Sequence, residues 1–426
     1  MLLKGYFNDI FLRIRRFGKS DIFSYLSFGL IAKVIPFLAS LVLVHLLLPA
    51  YYGVVSVFMS IMALSASFIN FGVNQMVVRE RQFLTEIEFS RLFSSSRLLS
   101  LVLLILVIPS IYLLFSCIPG WVIEFKWVLI ALLLSWCLAS LELIAKVFVV
   151  NRDAFAFGIL DVLKLGLVSL LSICFILFYP DHGLEARISG IAVGLIFSAL
   201  FGVYLLKKHI TFQPPKLFEI KRIFVYGIKV LPQVFSNWMK MGADKVLLVS
   251  LVSLAELGAY SFTFTVCTVV MVFGNAIHNT FIEYSMRMYK GGKIAELRKK
   301  RRKNILISCL LYSSYALFII GVSKLWWPEG YKVSDLSIVM IVLALFFQIV
   351  YLHFAKIFLY KENVGELGGV NLLFSFVYVL FLVNPVMEPS IEYAVLCFAG
   401  NNFCLTLYVT CRSFFIEKNE FRIDAV

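Results

Sequence analysis

Charge is scarce in this sequence. Only 15% of its 426 residues are charged, while 61% are hydrophobic and Phe alone contributes 42. A water-soluble domain carries about 25% charged residues, so that class is excluded. Cysteine chemistry is missing too. Cys117, Cys137, Cys174, Cys267, Cys309, Cys397, Cys404 and Cys411 are scattered through apolar segments without CxxC spacing. That excludes a disulfide frame and a metal centre, and reads as small buried hydrophobes. Lys4, Arg13, Arg15, Arg16 and Lys19 precede a long apolar segment with neither a short h-region nor a small-residue cleavage site, so no cleaved signal peptide is expected. The short alternating strands of a membrane barrel are absent as well.

What is present is a succession of apolar windows of about 20 residues, the length of a bilayer crossing, running from Ser24 to Cys411. They predict an all-α polytopic membrane protein with twelve transmembrane helices, near residues 24–47, 53–77, 98–118, 126–148, 155–178, 188–206, 224–251, 258–283, 304–325, 335–357, 364–384 and 391–411. Pro49, Pro119, Pro180, Pro328, Pro385 and Pro389 fall in the expected outer turns. Counted over alternate connections and the span ends beside them, one set holds 31 Lys and Arg, and the other holds 4: Lys126, Arg187, Lys324 and Lys332. Basic loops stay in the cytoplasm, so both termini are expected inside. The run RMYKGGKIAELRKKRRK at 287–303 is the densest basic segment, and it reads as a topology determinant lying against anionic headgroups. Without interleaved aromatics it does not suggest a nucleic-acid partner.

The chain also repeats itself. At an offset of 205 residues Gly53 meets Gly258, Ser56 meets Ser261, Phe68 meets Phe273, Asn70 meets Asn275 and Asn74 meets Asn279. The expectation is two six-helix bundles with pseudo-two-fold symmetry about the membrane normal, residues 1–206 and 223–426, joined by a cytoplasmic connector at 207–222. Pro36 and Pro232 interrupt the first helix of each half, and broken helices in corresponding segments point to a central site.

LLLPAYYGVVSVF at 46–58 and ADKVLLVSLVSLAELGAYSF at 243–262 resemble the signatures of the Wzx-type polysaccharide flippase family, within the multidrug/oligosaccharidyl-lipid/polysaccharide superfamily. The resemblance covers nearly the whole chain. It implies a bacterial inner-membrane protein that moves an undecaprenyl-diphosphate-linked oligosaccharide repeat unit (an O-antigen or other surface polysaccharide unit) to the periplasmic leaflet. It further implies alternating access through a cationic central cavity, membrane lipids as partners, and contact with a polysaccharide polymerase and a chain-length regulator. Asp244 matches the family's acidic position in the seventh helix, and Lys33, Lys240 and Lys245 are carried over as basic residues of matching helices.

Polar residues inside apolar spans are the candidate site. An isolated charge there costs about 2.5–3.5 kcal/mol. Lys33 can bind a diphosphate oxygen, or snorkel to the inner headgroups. Lys240 and Asp244, four apart, are expected to share a helix face, leaving Lys245 about 100° away as an available cation. A structural ion pair is the alternative. Glu142 and Lys146 repeat the spacing. Glu142 and Asp244 are the candidates for coupling or charge pairing, since a carboxyl inside a span is either partnered or protonated. Asn70 with Asn74, and Asn275 with Asn279, form polar i, i+4 faces that either bond between helices or line a sugar path.

An export antiporter for drug-like cations is the second reading, and it calls for a cavity rich in acidic groups. A polysaccharide polymerase is the third. It calls for an external catalytic surface, whereas the longest expected outer connection is about a dozen residues and no nucleophile–His–carboxylate motif is found. No cofactor and no enzymatic activity are expected. The topology is directly testable: reporter fusions at Glu185 and Lys332 should read periplasmic and one at Lys299 cytoplasmic. A cytoplasmic signal at Glu185 contradicts the assignment.

Overall fold

A computed structural model describes residues 21–81, 83–116, 121–211, 213–361, 363–384 and 389–420, with side chains from residue 28 onward except at 114, 115, 237, 241, 283 and 364. The N-terminal basic residues, Cys117, Pro119 and Pro385 lie outside the described residues. The described chain is helical: α1 (Asp21–Leu46), α2 (Pro49–Asn70), α3 (Val73–Glu80), α4 (Glu86–Ser116), α5 (Phe125–Val150), α6 (Ala154–Phe178), α7 (Gly183–Leu206) and α8 (Leu217–Met241) are followed by α9 (Ala243–Leu248), α10 (Leu254–Cys267), α11 (Val270–Lys290), α12 (Ile294–Trp326), α13 (Asp335–Phe354), α14 (Lys356–Tyr360), α15 (Val364–Leu382) and α16 (Ile391–Glu420).

Local chemistry sets the helix starts. Pro49 is the first residue of α2, where its missing N–H costs nothing. Ser253 and Glu256 form a reciprocal capping box at α10, and Asp153 accepts from the Ala156 amide at 2.9 Å to cap α6. Pro36, Pro109 and Pro232 lie inside α1, α4 and α8, where each removes a backbone hydrogen bond.

Among the described residues, eleven helical segments are long and apolar enough to cross a membrane. The remaining expected span, 224–251, is built from α8 and α9, interrupted at Gly242. It falls outside the eleven because α8 carries Glu219, Lys221, Arg222, Lys229 and Lys240. The helices turn large apolar side chains outward, Leu317, Leu325 and Phe178 among them. Apolar surface on this scale is stable only where lipid is the solvent. The same reasoning corrects the reading of the cysteines: Cys267 is buried, but Cys309, Cys404 and Cys411 are exposed, and Cys309 lies between Ile307 and Leu310 on an outward apolar arc of α12.

The chain forms two compact units. The first comprises Met1–Leu46, Ile61–Cys117 and Glu124–Leu231, and the second Leu47–Ser60, Ile118–Ile123 and Pro232–Val426. Thus α2 begins in the second unit and ends in the first, and α8 passes from the first to the second at Pro232. Within the first unit α6 and α7 pack backbone to backbone, because Gly190 and Gly194 present no side chain to Ser172 and Val168. Within the second, α13 packs along α16, and a core of Phe281, Leu297, Phe354, Phe358 and Leu405 fills the space among the helices.

The basic run 287–303 is partly structural. Arg301 is 2% exposed, and its guanidinium makes a bidentate pair with Glu417 of α16 at 2.8 and 3.1 Å. Its neighbours Lys299, Lys300, Arg302 and Lys303 remain exposed.

In the second unit α2 crosses α10, and residues 205 apart touch their own counterparts. Ser261 Oγ donates to Ser56 Oγ at 2.8 Å. A Cβ on Gly53 would stand 2.2 Å from the Leu254 carbonyl oxygen, and one on Gly258 would stand 1.8 Å from that of Pro49. Tyr52 adds edge contacts to Phe262 and Tyr331, and the Tyr331 hydroxyl donates to the Leu47 carbonyl at 2.9 Å. Gly258→Ala should therefore lower the unfolding free energy by about 1–3 kcal/mol through overpacking. Gly321→Ala, with no atom within 4 Å of its added methyl, serves as the control. Equal thermal midpoints for the two variants in detergent contradict the close crossing.

Candidate functional site

The expected partnership between Lys240 and Asp244 does not form. α8 ends at Met241, Gly242 leaves helical geometry at φ −149° and ψ −22°, and α9 starts at Ala243. The two residues therefore do not share a face. Asp244 is 1% exposed; it accepts from the Tyr260 hydroxyl at 2.5 Å and faces the Lys245 ammonium at 3.5 Å. Lys245 in turn lies over the Phe264 ring at 4.5 Å. Asp244 and Lys245 are thus a neutralised pair in an aromatic setting. This is the case in which breaking one partner leaves a costly unpaired charge.

Lys240 is left with neutral company. Its ammonium donates to Asn371 Oδ1, while Asn371 Nδ2 donates to the Tyr351 hydroxyl at 2.7 Å and the Leu367 carbonyl at 2.8 Å. Among the described residues no carboxylate pairs with it. The structure reverses the expected roles: Lys245 takes the acid and Lys240 keeps its charge.

In the first unit a second backbone break brings three predicted residues together. α2 ends at Asn70. Phe71 and Gly72 then adopt positive φ, 44° and 73°, and α3 begins at Val73. The turn rests on α8: Phe71 stacks on Phe224 with centroids 5.3 Å apart, and Gly72 stands against Val230 and Gly227. Positive φ suits Gly72 but strains Phe71. Asn70 and Asn74 are consequently not on one helical face. Both converge on Glu142 of α5, with Nδ2 to Oε2 distances of 2.7 and 3.4 Å. No ion pair joins Glu142 to Lys146 among the described residues, and Lys164 pairs with Asp161 at 2.8 Å.

The repeat does not extend this arrangement. Asn275 and Asn279 lie on the continuous helix α11 with exposed side chains, whereas His278, next to Asn279, is buried. Lys33 is exposed on α1, at the edge of an arc carrying Leu30, Val34 and Leu38. Asn371, Tyr260 and Arg97 were not among the sequence candidates. Arg97 stacks over Trp136 at 4.6 Å and donates to Ser140. From sequence it is one more basic residue at a span end; both of these partners come from α5.

A family model described as a polysaccharide biosynthesis protein matches residues 42–288. A search of curated proteins found no significant match. Among solved structures, an inward-facing multidrug resistance MATE family transporter of the MOP superfamily superposes with a TM-score of 0.67 at 16% identity, covering 92% of this chain and 96% of its own. An outward-facing MATE family transporter gives 0.56 at 14% identity, with 94% and 96% covered. A MOP superfamily transporter from Pyrococcus furiosus, described as having a binding pocket of reverse polarity that suggests a different function, gives 0.53 at 15% identity, with 93% and 95% covered. At these identities the likeness is one of fold.

Leaving a buried acceptor without its hydrogen bond costs about 1–3 kcal/mol. Asn70→Ala removes the shorter of the two bonds to Glu142 and should lower stability by about that amount, whereas Asn275→Ala, at the exposed counterpart, should leave it unchanged. Equal thermal midpoints for the two variants contradict the asymmetry.

Proposed function

Because the chain belongs to the family of polysaccharide biosynthesis proteins and has the fold of MOP superfamily transporters, we propose that it is a flippase. Its cargo in this reading is an undecaprenyl-diphosphate-linked oligosaccharide repeat unit, carried by alternating access from the cytoplasmic to the periplasmic leaflet of a bacterial inner membrane. Both termini are then cytoplasmic, each half of the repeat contributes six helices, and the neighbouring polymerase and chain-length regulator receive the product.

One observation carries the reading. In this reading Lys240 lies in the seventh span, built from α8 and α9, where it is bonded to the neutral Asn371 and has no acid partner among the described residues. A diphosphate brings formal negative charge into a low-dielectric interior, where an ammonium offers charge-assisted hydrogen bonds. Asn371 holds the ammonium without cancelling its charge, so the group is positioned yet available. Lys33, exposed on α1, and Lys245, compensated by Asp244, remain proposed binding cations. Asn70, Asn74, Asn275 and Asn279 are the proposed amides for sugar hydroxyls. The first two are shared with Glu142, and the last two are exposed.

A drug-cation antiporter needs acids free to receive a cation. Asp244 is neutralised by Lys245 and bonded by Tyr260, which favours an anionic cargo, whereas Glu142 is held by two neutral amides. Asp244 is accordingly a charge partner first, and Glu142, bonded to amides and to no cation among the described residues, a coupling candidate first.

Lys240→Ala should lower surface polysaccharide about 10- to 100-fold, equivalent to one lost charge-assisted bond of about 1.5–3 kcal/mol, with protein level and insertion unchanged. Lys240→Arg should retain more, since it keeps the charge. Asp244→Asn acts on Lys245, its observed partner, and should reduce protein level before transport. Deletion of the protein should leave complete lipid-linked units on the cytoplasmic face. Normal polysaccharide in Lys240→Ala contradicts the proposed site, and failure to assemble the unit at all contradicts transport.

A further inference from the structure

The second half contains a buried polar seam that neither the family nor the proposed cargo site accounts for. It lies among α11, α12 and α13. At one level Gly274 lets three helices meet: a Cβ there would stand 2.4 Å from the Tyr312 hydroxyl and 2.8 Å from Ile349 Cγ1. One turn further along, His278 of α11 and His353 of α13 face each other with ring centroids 5.3 Å apart. They are 4% and 0% exposed. α12 continues the line with Ser308 and Asn304, both buried, one and two turns before Tyr312.

These groups lack partners. Tyr312 Oη, Ser308 Oγ, Asn304 Nδ2, His278 Nδ1 and His353 Nε2 are buried, and none has a hydrogen-bond partner among the described residues. Five such atoms along one seam would cost several times the penalty of a single unsatisfied buried group. Repeat counterparts at the 205-residue offset are Val107, Leu103, Leu99, Val73 and Phe148, all apolar. The polar seam is thus particular to the second half.

The chemistry selects the ligand. His353 Nδ1 lies 2.9 Å from the Ile349 carbonyl, which can only accept, so Nδ1 carries a proton and, in the neutral imidazole, Nε2 is a bare acceptor. Asn304 Nδ2 can only donate, and the two hydroxyls can do either. Lys356, three residues past His353, is 7% exposed and has no carboxylate partner among the described residues. The adjacent Arg301 is already committed to Glu417 and lies over the Phe354 ring at 4.2 Å. With no acid in the seam and an ammonium at its end, a metal cation is disfavoured. An acceptor-only nitrogen at its centre disfavours an anion. A ligand that donates and accepts satisfies every atom.

We propose that α11, α12 and α13 enclose a binding site for a file of ordered water molecules, running from Tyr312 past His278 and His353 to Lys356. The water completes the hydrogen bonds of the five unpaired atoms and solvates the Lys356 ammonium inside the span. It gives α11 a face whose hydrogen bonds re-form through exchangeable solvent.

Two measurements on the full-length protein, both made without cargo and therefore independent of the flippase reading, test the site. In radiolytic hydroxyl labelling, Tyr312, His278 and His353 should be oxidised about threefold or more faster than Tyr260, which is equally buried but bonded to Asp244. In thermal unfolding, Tyr312→Phe should lower the apparent Tm by about 2 °C or more, because a hydrated hydroxyl loses a bond. In a dry seam the same change removes an unsatisfied group and raises the Tm. Labelling no faster than at Tyr260, or a raised Tm, overturns the proposal.

Discussion

A charge inside a membrane span must find a partner, a route to water or a ligand, because leaving it alone in hydrocarbon costs about 2.5–3.5 kcal/mol. The arrangement of this molecule follows from how each charge meets that demand. Asp244 is satisfied by Lys245 and Tyr260, Glu142 by two amides, and Glu417 by Arg301, Arg298 and Tyr289. Lys240 is held by an amide that leaves its charge uncompensated. A binding group for an anion needs that state: fixed in place, yet not neutralised.

Backbone breaks decide who meets whom. Had α8 continued through Gly242, the four-residue spacing would have set Asp244 beside Lys240 and cancelled the free cation. The break assigns the acid to Lys245 instead. The turn at Phe71 and Gly72 acts comparably, letting Asn70 at the end of α2 and Asn74 on α3 converge on one carboxylate. In the second half α11 runs unbroken through Asn275 and Asn279, and the same residue types serve no such clamp. Residues related by the 205-residue offset thus differ in the polar contacts they make.

Helix content and membrane class were legible because apolar run length is a local property. Ser56 and Ser261, paired by an offset in the sequence, are bonded to each other in space. Legibility failed where one residue changes helix direction: Gly242 and Gly72 sit in runs whose hydropathy continues without interruption, so Lys240–Asp244 and Asn70–Asn74 each read as one face. It failed again for contacts supplied by distant helices, such as Asn371 to Lys240 and Trp136 to Arg97, which no spacing announces. Arg301 shows the opposite error, since a charge embedded in a basic loop signal turned out to be buried against Glu417.

The central claim is that Lys240 recognises the diphosphate of a lipid-linked sugar. Equilibrium binding of purified protein to polyprenyl diphosphate and to the uncharged polyprenol tests it most directly, with the wild type compared against Lys240→Gln. The account predicts that the wild type prefers the diphosphate about tenfold or more and that the substitution abolishes most of this preference while leaving polyprenol binding unchanged. Equal binding of the two lipids by the wild type, or a preference that survives Lys240→Gln, contradicts it.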